Sequence, residues 1–347
     1  MYNKIKTLLF SKKLRTTIII IVLIYFISKI IIGFIAFNII FKFKKKEIDY
    51  KKEINKLAEE IDKYYRVDDN LSSFILEKYD KIKQIKIKSY DNIQLNGYII
   101  ENDEINENNN WVIISHAYKE QILLLNIAYI LVLYKFYNLG FNILIIDHRA
   151  HGSSEGKYLT LGYKERFDIK EWIKYISNKY PNSNIATYGL SMGATSILLA
   201  CGEELPKNFK LCIADSAFNS CYDVMNSFST KLLHIPSFIS NFILGGTYLI
   251  GKIFYNFDIN FKTENFLKKS KHPILFIHGD SDYIINVEII KEMYKNYTGE
   301  KEILIINNAD HCLGCFIKPK LYWETIKNFT RKYMNFDTFD KKTSISI

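Results

Sequence analysis

The chain has 347 residues, of which 48% are hydrophobic and 24% are charged, so it can bury a large core and is not a disordered chain. Its net charge of +10 comes from lysines that are scattered along the sequence and not gathered in one motif. This distribution is typical of a solubilising surface that is attracted to anionic lipid, and it argues against nucleic-acid binding.

The first predicted element is a nearly continuous apolar run over residues 16–41, preceded by a basic flank at residues 1–15. The run exceeds the roughly 20 residues that span a bilayer, and it lacks a convincing small-residue cleavage site. We therefore predict an uncleaved, single-pass transmembrane anchor in the cell membrane. Lys29 lies near the middle of the run and raises the free energy of membrane insertion unless its ammonium group reaches the interface. Basic residues flank both ends, so the positive-inside rule does not choose an orientation.

Residues 42–80 are rich in charge and are predicted to form a helical linker. The apolar residues in this segment recur at helical spacing: Ile54, Leu57, Ile61, Tyr64 and Tyr65. A globular domain is predicted over residues 81–335, and a short tail over residues 336–347.

The globular domain begins with a predicted hairpin, because residues 82–88 alternate Ile with polar residues and residues 93–100 supply a partner. Six short apolar runs follow, each typical of a buried parallel strand: residues 111–115, 141–146, 185–188, 211–214, 274–277 and 303–306. Helical stretches at residues 163–180 and 192–200 lie between them. This alternation predicts an α/β fold with a doubly wound, mostly parallel sheet.

The interval between the strands at residues 211–214 and 274–277 is too long for one crossover helix. Residues 220–261 are rich in large apolar side chains, and Pro236 and Gly245-Gly246 are expected to break the segment into short helices. Two interpretations stay open: an extra core layer, or a helical cap over a pocket at about residues 218–268.

A G-x-S-x-G motif, formed by Gly189, Ser191 and Gly193, follows one predicted strand and opens a helix. A serine on such a turn has its hydroxyl exposed at the edge of the sheet, and the glycines let strand and helix approach closely. Ser191 is therefore the candidate nucleophile. The motif alone is weakly specific, so the remaining groups of a triad are needed to support it.

A serine nucleophile needs a base, and the base needs an orienting acid. Asp282 and His311 each follow a predicted strand, in the chain order Ser, Asp, His that this kind of sheet uses. Asp280 and Asp215 are rival acids, and Asp282 has the alternative role of capping the helix that begins near Val287. The other histidines lie before the nucleophile, in the acid loop or in the cap.

An oxyanion hole requires two backbone N–H donors. We expect one from Met192, directly after the nucleophile, and one from Tyr118, in the loop after the strand at residues 111–115. Five cysteines do not indicate a disulfide framework. Cys312 and Cys315 form a C-x-x-C pair, but no second Cys/His pair at zinc spacing accompanies it. No metal or organic cofactor is implied.

With these residues in place, the sequence resembles the α/β-hydrolase superfamily, and especially bacterial membrane-anchored, serine-aminopeptidase-like hydrolases. The resemblance covers roughly residues 83–333 and rests on five segments: residues 115–118, 147–156, 189–193, 276–282 and 309–311. It implies an α/β-hydrolase fold with the cap in the interval noted above. Two positions depart from the family pattern, because Ala117 and Ala150 stand where glycines are usual, and alanine is strained wherever φ is positive.

These observations predict a membrane-anchored serine hydrolase that cleaves an ester, thioester or amide through an acyl-enzyme. An apolar cap near a membrane favours a lipid-like acyl substrate. Two alternatives stay open: a non-catalytic relative that binds a lipid or protein partner, and a peptidase. The sequence indicates no oligomeric state.

Overall fold

A computed structural model of the chain describes residues 12–43, 55–60, 70–103, 110–119 and 127–334. Most of the predicted basic flank, the predicted tail at residues 336–347, and linker residues 44–54 and 61–69 lie outside the described residues, as do Ile54, Ile61, Tyr64 and Tyr65. Of the predicted helical linker, residues 55–60 and α2 (Leu71–Tyr79) are helical.

The chain divides into two compact units. We call Met1–Lys42 with Tyr222–Asn260 the helical unit, and Phe43–Cys221 with Phe261–Ile347 the sheet unit.

The described part of the sheet unit contains an 8-stranded sheet in the order β1-β2-β4-β3-β5-β6-β7-β8. The strands are β1 (Lys83–Lys88), β2 (Gln94–Ile100), β3 (Asn110–Ser115), β4 (Asn142–Ile146), β5 (Asn184–Leu190), β6 (Phe209–Asp215), β7 (Ile274–Gly279) and β8 (Lys301–Ile306). The first two form the predicted antiparallel hairpin, and every pair from β4 to β8 is parallel. The predicted strands are thus all present, with bounds that differ by a few residues.

Helices cover both faces of the sheet. They are α3 (Ile127–Asn138), α4 (Glu165–Lys179), α5 (Met192–Cys201), α8 (Thr263–Leu267), α9 (Val287–Asn296), α10 (Gly314–Ile317) and α11 (Pro319–Tyr333). Successive residues of β3 point to opposite faces, so Val112 belongs to one core and Ile113 to the other. The first core includes side chains of α3 and α11, and the second includes side chains of α4, α5 and α9. Burial on both faces explains why the parallel strands are continuous apolar runs.

The helical unit contains α1 (Lys12–Phe41), α6 (Cys221–Ser227), a π-helical turn (Phe228–Leu232) and α7 (Ser237–Tyr255). Among the described residues, α1 and α7 are both long and apolar enough to cross a membrane by length and composition. Within this unit α7 packs along α1.

The predicted break at Gly245-Gly246 is wrong, because α7 continues through both glycines, although Pro236 does precede its first residue as expected. The reason is a close approach to α1. A Cβ on Gly246 would overlap the backbone oxygen of Lys29, and a Cβ on Gly33 would overlap the backbone of Gly246. The glycine allows two helix backbones to touch, and this packing offsets its low helix propensity.

Candidate active site

Ser191 lies on a strained turn between β5 and α5. Its φ is 52° and its ψ is −112°, a conformation that a residue with a side chain rarely adopts. The flanking glycines are needed for the turn: a Cβ on Gly189 would lie 2.5 Å from the carbonyl carbon of Gly193, and one on Gly193 would overlap the carbonyl oxygen of Ser115. The predicted motif therefore has the strand–turn–helix context that makes it informative.

The structure brings Ser191, His311 and Asp282 together. The distance from Ser191 Oγ to His311 Nε2 is 2.9 Å, and the distance from His311 Nδ1 to Asp282 Oδ2 is 2.7 Å. Since a carboxylate only accepts, Nδ1–H donates to Asp282, which leaves Nε2 to accept the serine hydroxyl proton. This is the tautomer in which a histidine serves as a base toward serine.

Asp282 is held by more partners than the sequence indicated. Its Oδ1 accepts the backbone N–H groups of Ile284 and Ile285 at 2.9 and 2.8 Å, and its Oδ2 lies 3.2 Å from Nε2 of the buried His278. Burial opposes ionisation of this carboxyl, but the hydrogen bonds from His278 and His311 outweigh burial and lower its pKa. The cap of α9 is Asn286, which accepts Glu288 N–H, so Asp282 does not cap that helix.

His278 was missed by sequence reasoning, which placed it in the acid loop without a role. Its Nε2 lies 2.9 Å from the carbonyl oxygen of Ile285 as well as near Asp282. Both neighbours are acceptors, so Nε2 carries the proton and donates. A histidine at the end of a strand just before an acid loop is the signal that would have identified this partner.

The pKa of His311 is raised. Burial alone would lower it, but the adjacent Cys312 sulfur and the Asp282 carboxylate both stabilise the imidazolium. Burial raises the pKa of Cys312 itself, so that side chain is a neutral thiol near pH 7. We therefore assign most of the shift on His311 to the Asp282 carboxylate, which is charged at that pH.

The rival acids make other contacts. Asp280 accepts the backbone N–H of Asn308 at 2.7 Å and braces the loop after β8. Asp215 accepts the hydroxyls of Tyr322 and Ser216 at 2.8 and 2.9 Å, and burial raises its pKa. Neither carboxylate is hydrogen-bonded to His311 among the contacts of the described chain.

The loop after β3, which the sequence assigned to the oxyanion hole, is held by side-chain contacts. The Ala117 N–H donates to the hydroxyl of Tyr129 at 2.7 Å. Met192 begins α5, where the first N–H groups have no acceptor within the helix. That position gives Met192 the N–H expected of an oxyanion donor, and the assignment of Tyr118 as the second donor stays a prediction.

The loop after β4, at residues 147–156, is fixed by a buried ion pair. Arg149 donates to both oxygens of Asp168 at 2.6 Å and to Asp91 at 2.9 and 3.2 Å. Burial lowers the pKa of this guanidinium, but the two carboxylates outweigh burial and raise it. Next to it, Ala150 has a φ of 63°, so alanine is strained there. Ala117 is not among the described non-glycine residues with positive φ, so the strain considered for it is absent.

The same loop contacts the end of β3 and the residue after it through histidines. His148 Nε2 lies 2.8 Å from Ser115 Oγ, and the His148 N–H donates to Nε2 of His116 at 3.2 Å. Ser115 Oγ also donates to the carbonyl of Gly193 at 3.2 Å. The motif at residues 147–156 therefore supports the strand beside the nucleophile turn.

The cysteines are free thiols, including Cys312 and Cys315. Burial raises the pKa of Cys315 as well as that of Cys312. Within the described residues, no group of three or more His, Cys, Asp or Glu side chains is arranged to hold a metal ion.

Comparison with known proteins gives matches over the same region. The family profile described as serine aminopeptidase, S33, matches residues 106–240, which include Ser191 and end before Asp282. The uncharacterized protein YqkD of Bacillus subtilis is 29% identical over 202 residues, which is 56% of this chain and 63% of that protein. The uncharacterized protein YfhR of Escherichia coli O157:H7 is 24% identical over 201 residues, covering 56% and 62%. The match therefore spans less than two thirds of these curated relatives.

Solved structures match over more of the chain. The esterase Pf2001 of Pyrococcus furiosus superposes with a TM-score of 0.60 and 26% identity, covering 73% of this chain and 92% of that one. Est1E of Butyrivibrio proteoclasticus, solved with ferulic acid, has a TM-score of 0.54 and 22% identity, covering 72% and 98%, and shows likeness of fold alone. The chain belongs to the α/β-hydrolase superfamily, and the predicted fold class is confirmed. Within that superfamily its family-profile match is to the S33 serine aminopeptidases.

Proposed function

We propose that this chain is a membrane-anchored serine hydrolase that cleaves an ester, thioester or amide of an apolar acyl group. The observation that carries the proposal is the continuous hydrogen-bonded chain from Ser191 Oγ through His311 to Asp282, at 2.9 and 2.7 Å. A serine, a base and an orienting acid within hydrogen-bond reach are the signature of nucleophilic acyl transfer.

The proposed reaction has two halves. His311 Nε2 takes the hydroxyl proton as Ser191 Oγ attacks the carbonyl carbon, and the Met192 and Tyr118 N–H groups hold the oxyanion. Collapse of the tetrahedral intermediate breaks the bond to the leaving group, which takes the proton from His311. Water then attacks the acyl-enzyme, with His311 again accepting and returning a proton, and the carboxylic acid leaves. Asp282 keeps the imidazole in the required tautomer throughout.

The membrane part of the proposal rests on α1, which is long and apolar enough to span a bilayer. Its side chains from Ile18 to Ile27 are all exposed, which suits lipid contact and not a helix in a soluble core. Two of its internal polar groups bond to its own backbone, since Ser28 donates to Tyr25 O at 2.9 Å and Asn38 to Phe34 O at 2.8 Å. Satisfying polar groups within the helix lowers the cost of insertion.

An acyl ester or thioester is the favoured substrate class. The relative Pf2001 is an esterase, and a membrane-held enzyme meets acyl chains at high local concentration. An aminopeptidase would need a carboxylate for the substrate ammonium group. Asp280 and Asp310, in the loops that carry Asp282 and His311, accept the backbone N–H groups of Asn308 and His311 and so help to hold those loops.

Fluorophosphonate labelling of the purified full-length chain in detergent tests this proposal. We expect covalent labelling of the wild type and none of Ser191→Ala, because the probe reacts only with an activated serine. Ser281→Ala is the matched control, since that exposed serine bonds to Asp280 at 2.9 Å and not to a histidine, and it is expected to label fully.

A series of acyl esters of increasing chain length, compared with aminoacyl amides, then identifies the substrate class. Faster turnover of longer acyl esters supports the proposed substrate. Turnover of amino-terminal amides alone would replace it with a peptidase. A folded wild type that takes no label would contradict the mechanism and leave the non-catalytic alternative.

A further inference from the structure

The helical unit contains an apolar helix that the proposed function does not use. Helix α7 runs parallel to α1, because successive contacts advance along both helices. Tyr25 packs against Phe242 with ring centroids 5.3 Å apart, and further along both helices Phe37 stacks on Tyr255 at 4.5 Å. The pair is therefore in contact over much of the length of α7.

At the middle of this contact the helix backbones touch. Gly33 and Gly246 face one another, and a Cβ on either would overlap backbone of the other helix. Small residues at a crossing are typical of helices that associate within lipid, where close packing must replace the hydrophobic effect. Lys29, the single basic residue inside the apolar run, has its Nζ 5.9 Å from the ring centroids of both Tyr25 and Phe242. That position partly compensates its charge.

Large apolar side chains of α7 are exposed near both ends of the helix. Phe238, Ile253 and Phe254 have exposed fractions of 75%, 69% and 66%, and Leu232 and Leu233 in the preceding turn are also exposed. Apolar patches of this kind mark contact with a membrane or another protein. This patch is continuous with the exposed apolar surface of α1, because the two helices pack side by side.

Three polar side chains on α7 are hydrogen-bonded within the helical unit. Ser240 Oγ donates to Asn226 Oδ1 at 2.7 Å, and Thr247 Oγ1 donates to the backbone oxygen of Ile243 at 2.9 Å. Asn241 Oδ1 accepts the hydroxyl of Tyr222 at 3.0 Å. Internal pairing of this kind is required of a segment surrounded by hydrocarbon and is unnecessary for one in water.

We propose that α7 is a second membrane element, embedded in the lipid acyl chains beside α1. The inference rests on the proposed function in one respect, that α1 lies in the bilayer. If α1 is surrounded by lipid, the helix packed along it and exposing Phe254 shares that solvent. A protein partner or a second copy is less well supported, because the apolar surface continues around α1 and is too extensive for one docking patch. The segment expected to be a cap is thereby part of the membrane attachment.

Spin-label accessibility in full-length protein tests the proposal. Single cysteines replace Ile24 on α1, Phe254 on α7 and Leu321 on α11, all exposed. The background is Cys312→Ser, which removes the one native cysteine that is partly exposed. Each variant is reconstituted in phosphatidylcholine liposomes. Collisions of the label with oxygen, which partitions into lipid, are compared with collisions with a water-soluble nickel chelate.

We expect the ratio of oxygen to nickel collisions at Phe254→Cys to match that at Ile24→Cys and to exceed that at Leu321→Cys several-fold. Ile253→Cys, at the neighbouring exposed residue, should agree with Phe254→Cys. A lipid signal at residue 24 with a water signal at residues 253 and 254 would overturn this proposal and leave the α1 anchor intact. Water signals at residues 24, 253 and 254 alike would overturn both.

Discussion

Two pairs of glycines bring backbones together in this molecule, one in each unit. In the sheet unit, Gly189 and Gly193 let β5 and α5 meet at the nucleophile turn, and in the helical unit Gly33 and Gly246 let α1 and α7 touch. The first pair lies within one turn of chain, where its spacing around Ser191 forms a motif. The second pair is far apart in sequence, and Gly246 was interpreted, together with Gly245, as a helix break. A glycine pattern thus reveals a close approach only where both partners are near in sequence.

The local pair matters for chemistry only if it presents Ser191 to a working base, and Asp282→Asn tests that with the largest expected effect. Losing the carboxylate removes the charge that stabilises the imidazolium, so kcat should fall by about 10³–10⁴-fold if the three residues act as a Ser-His-Asp triad. Steady-state hydrolysis of an activated ester measures this change. Asp280→Asn, in the same loop, should change kcat little, and an equal loss in both variants would contradict the assignment.

The same variant has an expected pH signature. Activity needs neutral His311, so it rises as pH passes upward through the pKa of that group. Asp282 raises this pKa in the wild type, so the acidic limb of the profile should move to lower pH in Asp282→Asn. An unchanged limb would show that Asp282 does not set the protonation of the base.

The Gly193→Ala substitution should disrupt the close approach of α5 to the end of β3 beside the nucleophile turn. The added Cβ overlaps the Ser115 carbonyl oxygen, which is backbone and cannot move aside cheaply. Overpacking of this kind costs about 1–3 kcal/mol of the free energy of unfolding. Thermal unfolding should show that loss, and fluorophosphonate labelling should be strongly reduced because α5 is displaced from Ser191. A variant with wild-type stability and full labelling would refute the close approach.

Gly246→Ala makes the equivalent change in the helical unit, and the adjacent Gly245→Ala is its matched control. A Cβ on Gly246 overlaps the Lys29 backbone, whereas one on Gly245 meets only the end of the Lys29 side chain at 3.1 Å. Alanine otherwise favours a helix by about 1 kcal/mol over glycine. Thermal unfolding of the full chain in detergent should therefore show Gly246→Ala destabilised and Gly245→Ala neutral or stabilised. Changes of the same sign and size would contradict the helix contact.

Most of the sheet could be predicted from sequence because a strand buried on both faces is a short apolar run, and each such run became a strand. The proximity of Ser191, Asp282 and His311 was predictable because each follows a strand at the same edge of the sheet. The partner contacts of Asp282 were not, because His278 reaches it through the turn of the acid loop, and no periodicity encodes a turn contact. The packing of α7 on α1 could not be predicted because the two helices, like Gly33 and Gly246, are far apart in the sequence.

Ala150→Gly has the smallest expected effect. It tests whether Ala150 occupies a backbone position that favours glycine. Ala150 has a φ of 63°, which costs an alanine about 1–2 kcal/mol and a glycine nothing. Part of that gain is offset because glycine adds conformational freedom to the unfolded chain, so Ala150→Gly should gain up to about 1 kcal/mol of stability.

Ala117→Gly is the matched control, at the other position where the sequence departs from the family pattern. Its φ is not positive, so only the entropic loss remains and stability should fall by about 0.5–1 kcal/mol. Opposite shifts of melting temperature would show that the backbone is strained at residue 150 and unstrained at residue 117. Stabilisation by both substitutions would mean that residue 117 also has a positive φ.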